Sequence, residues 1–468
     1  MVCRLLCAGG WALALALPGW AGEPGEGAPF QYAQAPLLLG AESVEDGLRT
    51  IALQDLPSPE PAHPLRLAGV TPLTERLWRI ALSNVESNVV ETENGRYFGA
   101  GTKFGLRVYT RDISFAGVLG LNQFYPELMK SSLEVTRRLR FKLGLMVSKG
   151  YAVPGVDAAW QELDLEEREF LQHYHSNSYT RRTDDVIWLW AASDLFTKHP
   201  AIADYTWLYE TGRRCFEEFY DPFFDASDGL YRGQATFVDI HFFTHKTGGY
   251  PQDFSVQDCV RVKALSLNCL YVRGLETMSQ AARQLGRTGD AAAWQGRADA
   301  LRHAINTQLR NREGYLVYFK DPQGALQERR EALGIALAVL LDIVTGDDAK
   351  KQLGGYPVTD AGVPLFLPFF EHEARVYHNN AAWPFVDTLF LWAHEKAHGV
   401  DRTAENAALL ARTCVGNGSF HEVVDFATRE PKGSGAQLWS AAAFLNVCYR
   451  AGLHDLTGAG SAAKLPRN

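Results

Sequence analysis

Four loop segments hold most of the side chains that could do chemistry. Tyr97-Phe98-Gly99-Ala100-Gly101 leads to Tyr109-Thr110-Arg111-Asp112, and Arg181-Arg182-Thr183-Asp184-Asp185 precedes Trp188. Asp228-Gly229-Leu230-Tyr231-Arg232-Gly233 runs on to Phe237-Val238-Asp239, His241 and His245. Tyr377-His378-Asn379-Asn380, with Trp383-Pro384, is followed later by Phe420-His421-Glu422. Each segment sets carboxylates among aromatic rings. Two carboxyl groups can act as general acid and general base when their surroundings push their pKa values apart. Asp239 lies between Phe237-Val238 and Ile240, where burial would raise its pKa and suit it to hold a proton. Glu422 follows Gly416-Asn417-Gly418, a stretch that leaves room for a water. Plainer readings compete: loop carboxylates often cap helices, Asp112 beside Arg111 can be a buried ion pair, and Asp184 and Asp185 suit a helix's first turn. Trp383 can be plain core, and His421 and Lys432 stand at most on a site rim.

A second pattern points elsewhere. His394-Glu395-Lys396-Ala397-His398 matches the H-E-x-x-H arrangement, which sets two zinc-ligating His on one helix face with Glu as base. Gly399 ends that helix at once, no third His follows at a ligand offset, and Lys396 would put a positive charge beside the metal. We read a solvated helix end, and expect no metal and no organic cofactor.

The elements that must carry these loops are helical. Thr71 can cap a helix whose first residue is Pro72 and which runs amphipathically to about Val89. Trp294, Ala298, Leu301, Ile305 and Leu309 recur on one helix face, with Asp290 as the expected cap. The preceding helix stops near Leu285-Gly286, so short a link that the two must form an antiparallel hairpin. About a dozen helices follow one another to residue 452, without strand–helix alternation and without a G-x-G-x-x-G loop. An all-α (α/α)6 toroid, with a short irregular N-terminal arm, fits this count and would gather the loops at one mouth. An α-solenoid competes, but no repeat of 34 to 47 residues is visible.

Composition bounds the function. The chain has 468 residues, a net charge of −8, 46% apolar and 21% charged residues, which is globular and a poor match for phosphate neutralisation on nucleic acid. Its 11 Trp, 18 Tyr and 25 Phe suit sugar rings but equally fill helical cores. Arg4, the apolar Leu5–Leu17 stretch, Pro18-Gly19 and the small residues around Ala21 read as a secretory signal over 1–21. Residues 22–71 read as a Pro/Gly-rich arm or linker, 72–456 as one catalytic domain and 457–468 as a disordered tail. No later apolar run is long enough to span a membrane. We therefore expect a secreted or periplasmic protein. Cys215, Cys259, Cys269, Cys414 and Cys448 remain after the signal, an odd number with no C-x-x-C pair, leaving room for one disulfide at most.

From about residue 95 to 450 the chain resembles the six-hairpin glycosidase superfamily, nearest to glycogen-debranching-type amylo-α-1,6-glucosidases and processing α-glucosidases. Tyr109-Thr110-Arg111-Asp112 is similar to an aromatic-x-Arg-Asp stretch that holds the terminal sugar. Lys263–Leu270 resembles an "LNALWY" helix, and Tyr377–Pro384 a "YHNGxxWP" motif with Asn380 in place of Gly. Phe420-His421-Glu422 with Gly435–Ser440 resembles an "F-x-E … A-Q-x-W-S" ending. The large N-terminal β-domain of many relatives is absent. The resemblance implies an inverting glycoside hydrolase acting on α-linked glucosides or related α-glycosides, with an oligosaccharide or polysaccharide substrate. In such barrels the acid comes from a middle hairpin and the base from a late loop, so Asp239 would be general acid and Glu422 general base, about 6.5–9.5 Å apart. Tyr109, Arg111, Asp112, Asp185, His378 and Trp383 would bind the sugar. Alternatives are an exo-α-mannosidase, an α-rhamnosidase, a polysaccharide lyase, or a carbohydrate-binding pseudoenzyme. Linkage, exo or endo action and oligomeric state stay open.

Overall fold

Thr71 caps the first long helix as its sequence suggests. Its hydroxyl accepts the Thr74 N–H at 3.2 Å, Pro72 takes the first position, and α1 (Pro72–Ser87) buries Leu77, Trp78, Ala81, Leu82 and Val85. The computed structural model describes residues 43–48, 51–93, 95–106, 108–148, 183–239, 249–372, 377–414, 418–452 and 454–455. The signal segment, the first part of the arm, the tail, and Arg181, Arg182, His241, His245, Gly416 and Asn417 lie outside the described residues.

Among the described residues, eleven further α-helices of seven residues or more build the domain: α2 (Thr110–Ala116), α3 (Pro126–Ser148), α4 (Ile187–Lys198), α5 (Tyr205–Cys215), α6 (Leu265–Gln284) and α7 (Thr288–Gln308), then α8 (Ala332–Leu340), α9 (Gly346–Leu353), α10 (Pro384–His398), α11 (Thr403–Arg412) and α12 (Leu438–Arg450). The even-numbered helices close a ring: α2 packs on α4, α4 on α6, and so on through α8, α10 and α12, which returns to α2. The odd-numbered helices stand outside it, α7 against α6, α11 between α10 and α12, and α1 against α12. This is the (α/α)6 toroid. The division follows composition, because an inner helix is covered on every side and must be apolar all round, whereas an outer one needs a single apolar stripe. Thus α8 buries every residue from Ala332 to Val339, while α9 buries only Ala349, Gln352 and Leu353.

Since successive helices of a hairpin run antiparallel, the inner six run the same way and bring their N-termini to one mouth. Residues at or beside those starts are Arg111 and Asp112, Asp185, Ser266, Glu331, Trp383 and Gln437. Short strands brace this end. β1 (Ala381–Ala382) pairs antiparallel with β2 (Val423–Asp425), which pairs with β3 (Pro431–Lys432). The arm wraps the far side: Val44–Leu48 packs on α11, with Gly47 so close that a Cβ there would stand 2.5 Å from the Ala404 carbonyl oxygen. Further on, Arg66–Leu67 pairs with His454–Asp455, joining the arm to the C-terminal end of the barrel.

Two local expectations shift. α7 starts at Thr288, so Asp290 lies inside its first turn, and its carboxylate accepts the Tyr209 hydroxyl at 2.8 Å instead of capping the helix. The five cysteines from Cys215 onward are buried free thiols. Gly286 stops the preceding helix at φ +72°, a left-handed geometry that glycine enters at little cost.

Candidate active site

Arg111 is the hinge of the site. It sits in the first turn of α2, its guanidinium 3.4 Å from Asp239 Oδ1 and 3.4 Å from Asp112 Oδ2. The Asp239 loop reaches it through a strained turn: Phe237 has φ +59°, a region costing an L-residue about 1–2 kcal/mol. Aromatic packing holds it there, the Phe237 ring lying 4.9 Å from Trp383 and 5.4 Å from His378. The expected apolar surroundings of Asp239 are met only in part. Phe237 and Val238 are buried, but Asp239 is half-buried with its carboxylate against Arg111.

Glu422 stands at the entrance to β2. Its N–H donates to the Ser434 carbonyl at 3.0 Å, and its Oε2 accepts the Ser434 N–H at 2.9 Å. Its Oε1 accepts the Tyr377 hydroxyl at 2.9 Å. Burial raises the Glu422 pKa above the usual carboxylate range, while the Ser434 and Tyr377 hydrogen bonds and the nearby charges of Lys103 and Arg111 oppose it. The same Arg111 therefore lies within electrostatic reach of Glu422, Asp112 and Asp239. Tyr377 is half-buried, and desolvation of its phenol next to Glu422 raises its pKa and keeps it protonated, hence a donor.

The residues from Tyr377 to Trp383 form the floor. Trp383 donates from Nε1 to the Tyr377 carbonyl at 3.2 Å, and His378 stacks on Trp383 at 5.4 Å and 11°. Asn379 clamps the Phe370 backbone with both ends of its amide, 2.9 and 2.8 Å. Trp383 is only 2% exposed, so it supports the floor and presents no open ring face, contrary to its expected role as a sugar platform. Asp185 also departs from expectation. It is buried with Arg137 and Arg140, at 3.2 and 3.6 Å, and Arg137 also donates to Thr110 Oγ1, so this acid braces the start of α2 from within the protein. Tyr109 is half-buried at the head of α2, its ring 5.1 Å from Phe104. Lys432 is taken by Asp425 at 2.8 Å and ties the β2–β3 hairpin. The side chain of Asp184 lies outside the described residues.

Tyr377 and Gln437 lie in motifs visible in the sequence but are assigned no role there, and Gly433 is not singled out at all. Tyr377 stands immediately before His378 but carries no mark of its partner forty-five residues away. Gly433 must be glycine: it has φ +80°, and a Cβ there would lie 2.4 Å from Glu422 Oε2. Gln437 is fully buried at the head of α12, and both polar atoms of its amide lack a partner among the described residues. Such an amide costs about 1–3 kcal/mol unless a water or ligand meets it. Its Oε1 lies 2.6 Å from where a Cβ on Gly101 would stand, and Ser434 Oγ is at 2.5 Å from the same point, so Gln437 shares the Ser434 side of the site with Glu422.

The sequence pattern of the mannosylglycerate hydrolase MGH1-like glycoside hydrolase domain matches residues 231–440, which include Asp239, Tyr377, His378, Trp383, Glu422 and Gln437. The fold is that of the six-hairpin glycosidases, and the matched stretch carries the pattern of a glycoside hydrolase domain. Solved structures share its fold at low identity. A GH78 rhamnosidase of Bacillus sp. GL1 is 15% identical with a TM-score of 0.54, over 82% of this chain and 35% of that one. The chain thus spans about a third of the length of that enzyme. A metal-independent α-mannosidase of Streptococcus pneumoniae, in complex with α-1,6-mannobiose, is 15% identical with a TM-score of 0.53, over 81% and 94% of the two chains. The GH63 mannosylglycerate hydrolase of Thermus thermophilus is 14% identical with a TM-score of 0.51, over 79% and 99%. No curated protein matches the sequence.

The Tyr377–Glu422 contact makes a direct prediction. The phenol stabilises the ionised carboxylate, so Tyr377→Phe should raise the Glu422 pKa further. If activity requires ionised Glu422, the acid limb of the pH–rate profile should move to higher pH, measurably so in kcat/KM across the acid range. An unchanged limb would mean that Glu422 does not govern it.

Proposed function

We propose that this glycosidase hydrolyses an α-glycoside with inversion, Asp239 giving a proton to the leaving oxygen and Glu422 taking one from the attacking water. The observation that carries this reading is the convergence on Arg111. One guanidinium touches Asp239 and Asp112 and acts on Glu422, so two carboxylates from distant loops face one space. Their surroundings differ, and the Arg111 contact favours ionised Asp239, so a proton donor there requires that contact to be released. Glu422 is buried and held by two donors, which places its pKa closer to working pH and keeps the ionised form aimed. Asp239 shares Arg111 with Asp112 through long contacts, and a bound sugar that engages Arg111 and Asp112 would release Asp239 to carry its proton. Gln437, beside Ser434, is placed to orient the water or a sugar hydroxyl. His378, as buried as the Trp383 ring it stacks on, forms the wall behind the first sugar.

The substrate is an α-linked glucoside or a related α-glycoside. The matched family's description and the mannosidase neighbour favour including α-mannosides, and Lys103, exposed on the rim near Glu422, favours including glycosides with an acidic aglycone. The test is turnover of a panel of α-glucosides, α-mannosides, α-rhamnosides and mannosyl- and glucosylglycerate, with the anomer of the released sugar followed by NMR. Retention of configuration, or cleavage of β-glycosides alone, would overturn the reading; binding without turnover would favour a pseudoenzyme. Export by the N-terminal signal is part of the same proposal, checked by finding the mature N-terminus after Ala21 in secreted protein.

No metal enters this scheme. Among the described residues no three His, Cys, Asp or Glu side chains gather as ligands. His394 and His398 stack on each other at 4.3 Å, and Glu395 pairs with Arg450 at 2.5 Å while accepting the Arg402 N–H at 3.0 Å. Overnight dialysis against EDTA is therefore expected to leave kcat/KM essentially unchanged. Loss of activity restored by zinc would reinstate the helix-end histidines.

A further inference from the structure

Glu331 is an acid that the scheme above does not use. It stands at the head of α8, wholly buried, on the short strand that pairs with Phe366–Leu367. A buried carboxyl with no ion-pair partner among the described residues is costly and calls for a physical account. Burial pushes its pKa up to about 8, so near neutral pH it is largely protonated and acts as an uncharged acceptor. Gly334 lets the helix close over it, since a Cβ there would come within 2.8 Å of Glu331 Oε2.

Its side-chain hydrogen bond leads toward the catalytic loop. Ser266, at the start of α6, donates from Oγ to Glu331 Oε1 at 3.1 Å. The same Oγ accepts the Thr236 N–H at 3.3 Å. A serine hydroxyl has one proton, so committing it to Glu331 leaves its lone pairs facing Thr236. Thr236 immediately precedes Phe237, the residue held at φ +59°, and two residues later comes Asp239. The other end of the loop is fastened separately. The Tyr250 hydroxyl accepts the Ala235 N–H at 3.0 Å and donates to the Val238 carbonyl at 3.3 Å. The strained turn is thus pinned at its amide by Ser266 and at its carbonyl by Tyr250.

We propose that Ser266 and Glu331 are positioning residues for Asp239, with Glu331 fixing the Ser266 hydroxyl so that it holds the Thr236 amide and, through the turn at Phe237, aims the Asp239 carboxyl at the leaving oxygen. This rests on Asp239 being the proton donor, and extends that reading to two residues at the heads of inner helices, behind the Asp239 loop. A misplacement of about 1 Å at a reacting group can lower rate on the order of 10²-fold. The loss falls on proton donation alone, so it should depend on how much the leaving group needs a proton.

The experiment compares a natural glycoside with the corresponding glycosyl fluoride, which departs without protonation. Ser266→Ala and Glu331→Leu should lower kcat/KM for the glycoside by about 10- to 100-fold and for the fluoride by less than about threefold. Glu331→Gln keeps an acceptor at Oε1 and should restore the wild-type ratio between the two substrates. Equal losses on both substrates would overturn the proposal in favour of plain structural support, and so would a Glu331→Gln variant as selective in its damage as Glu331→Leu. If Glu331→Leu fails to fold, Ser266→Ala, which removes one oxygen, decides by the same ratio. Asp239→Ala is run beside them. If it shows no leaving-group dependence, the assignment of the acid has failed; if it does and Ser266→Ala does not, only the positioning has.

Discussion

Asp239→Ala should abolish most turnover of glycosides with sugar leaving groups yet leave glycosyl fluorides and dinitrophenyl glycosides largely intact, whereas Glu422→Ala should depress both. An alkoxide leaves poorly without a proton, so removing the donor exposes the full cost of that step. Fluoride and dinitrophenolate leave as stable anions and do not call on it. The base is needed in either case, because water must lose a proton as it attacks. General acid or base assistance is worth about 10²–10⁴-fold, and we expect Asp239→Ala to lose that much on natural substrates only. In Glu422→Ala, azide should occupy the space left by the carboxylate and yield a glycosyl azide of inverted configuration. The measurement is kcat/KM for each variant on both substrate types. Equal losses for Asp239→Ala on both would remove it from the role of donor.

The second large effect is expected at a residue with no functional group. Gly433 has φ +80°, and a methyl there would stand 2.4 Å from Glu422 Oε2 and 2.8 Å from Glu422 Cβ. Gly433→Ala must therefore displace the carboxylate or the turn that carries the Ser434 N–H on which Glu422 depends. We expect kcat to fall on the order of 10²-fold, as for a misplaced reacting group, along with destabilisation of about 1–2 kcal/mol from the left-handed backbone. Gly435→Ala, two residues on, provides the comparison. Its φ is not left-handed, and its nearest neighbour, Ser419 Oγ, would lie 3.3 Å from the new methyl. That variant should lose far less activity. Similar losses in the two variants, or a Gly433→Ala enzyme of normal kcat, would show that Glu422 is not held as described.

Much of the scaffold was legible without coordinates because its rules are local. The Thr71 cap, Pro72 at the first position and the Gly286 and Gly399 stops are one-turn effects, and each falls where the residues indicate. The apolar face from Trp294 to Leu309 needs only the helical period to be seen, and an amphipathic hairpin repeated about six times leaves few ways to bury its stripes. Asp290 escaped because a cap and a first-turn acid look alike in sequence; Tyr209, from another helix, decided between them.

The site shows the same boundary more sharply. That Arg111, Asp112, Asp239, His378 and Glu422 are candidates for the chemistry is written in their types and in the segments that hold them. Asp185 and Trp383 have the same types in the same kinds of loop, and the fold turns both inward, one onto Arg137 and Arg140, the other beneath His378. Nothing near Tyr377 in the chain announces Glu422, nothing near Gly433 announces the carboxylate it must clear, and nothing near Ser266 announces Thr236 or Glu331. Helix periodicity, caps and stops depend on neighbours within a turn or two, so the chain alone settles them. Partner, burial and the aim of a side chain depend on groups that closing the ring of helices brings together from far along the chain, so only the folded barrel decides which acid meets the arginine and which is spent inside the wall.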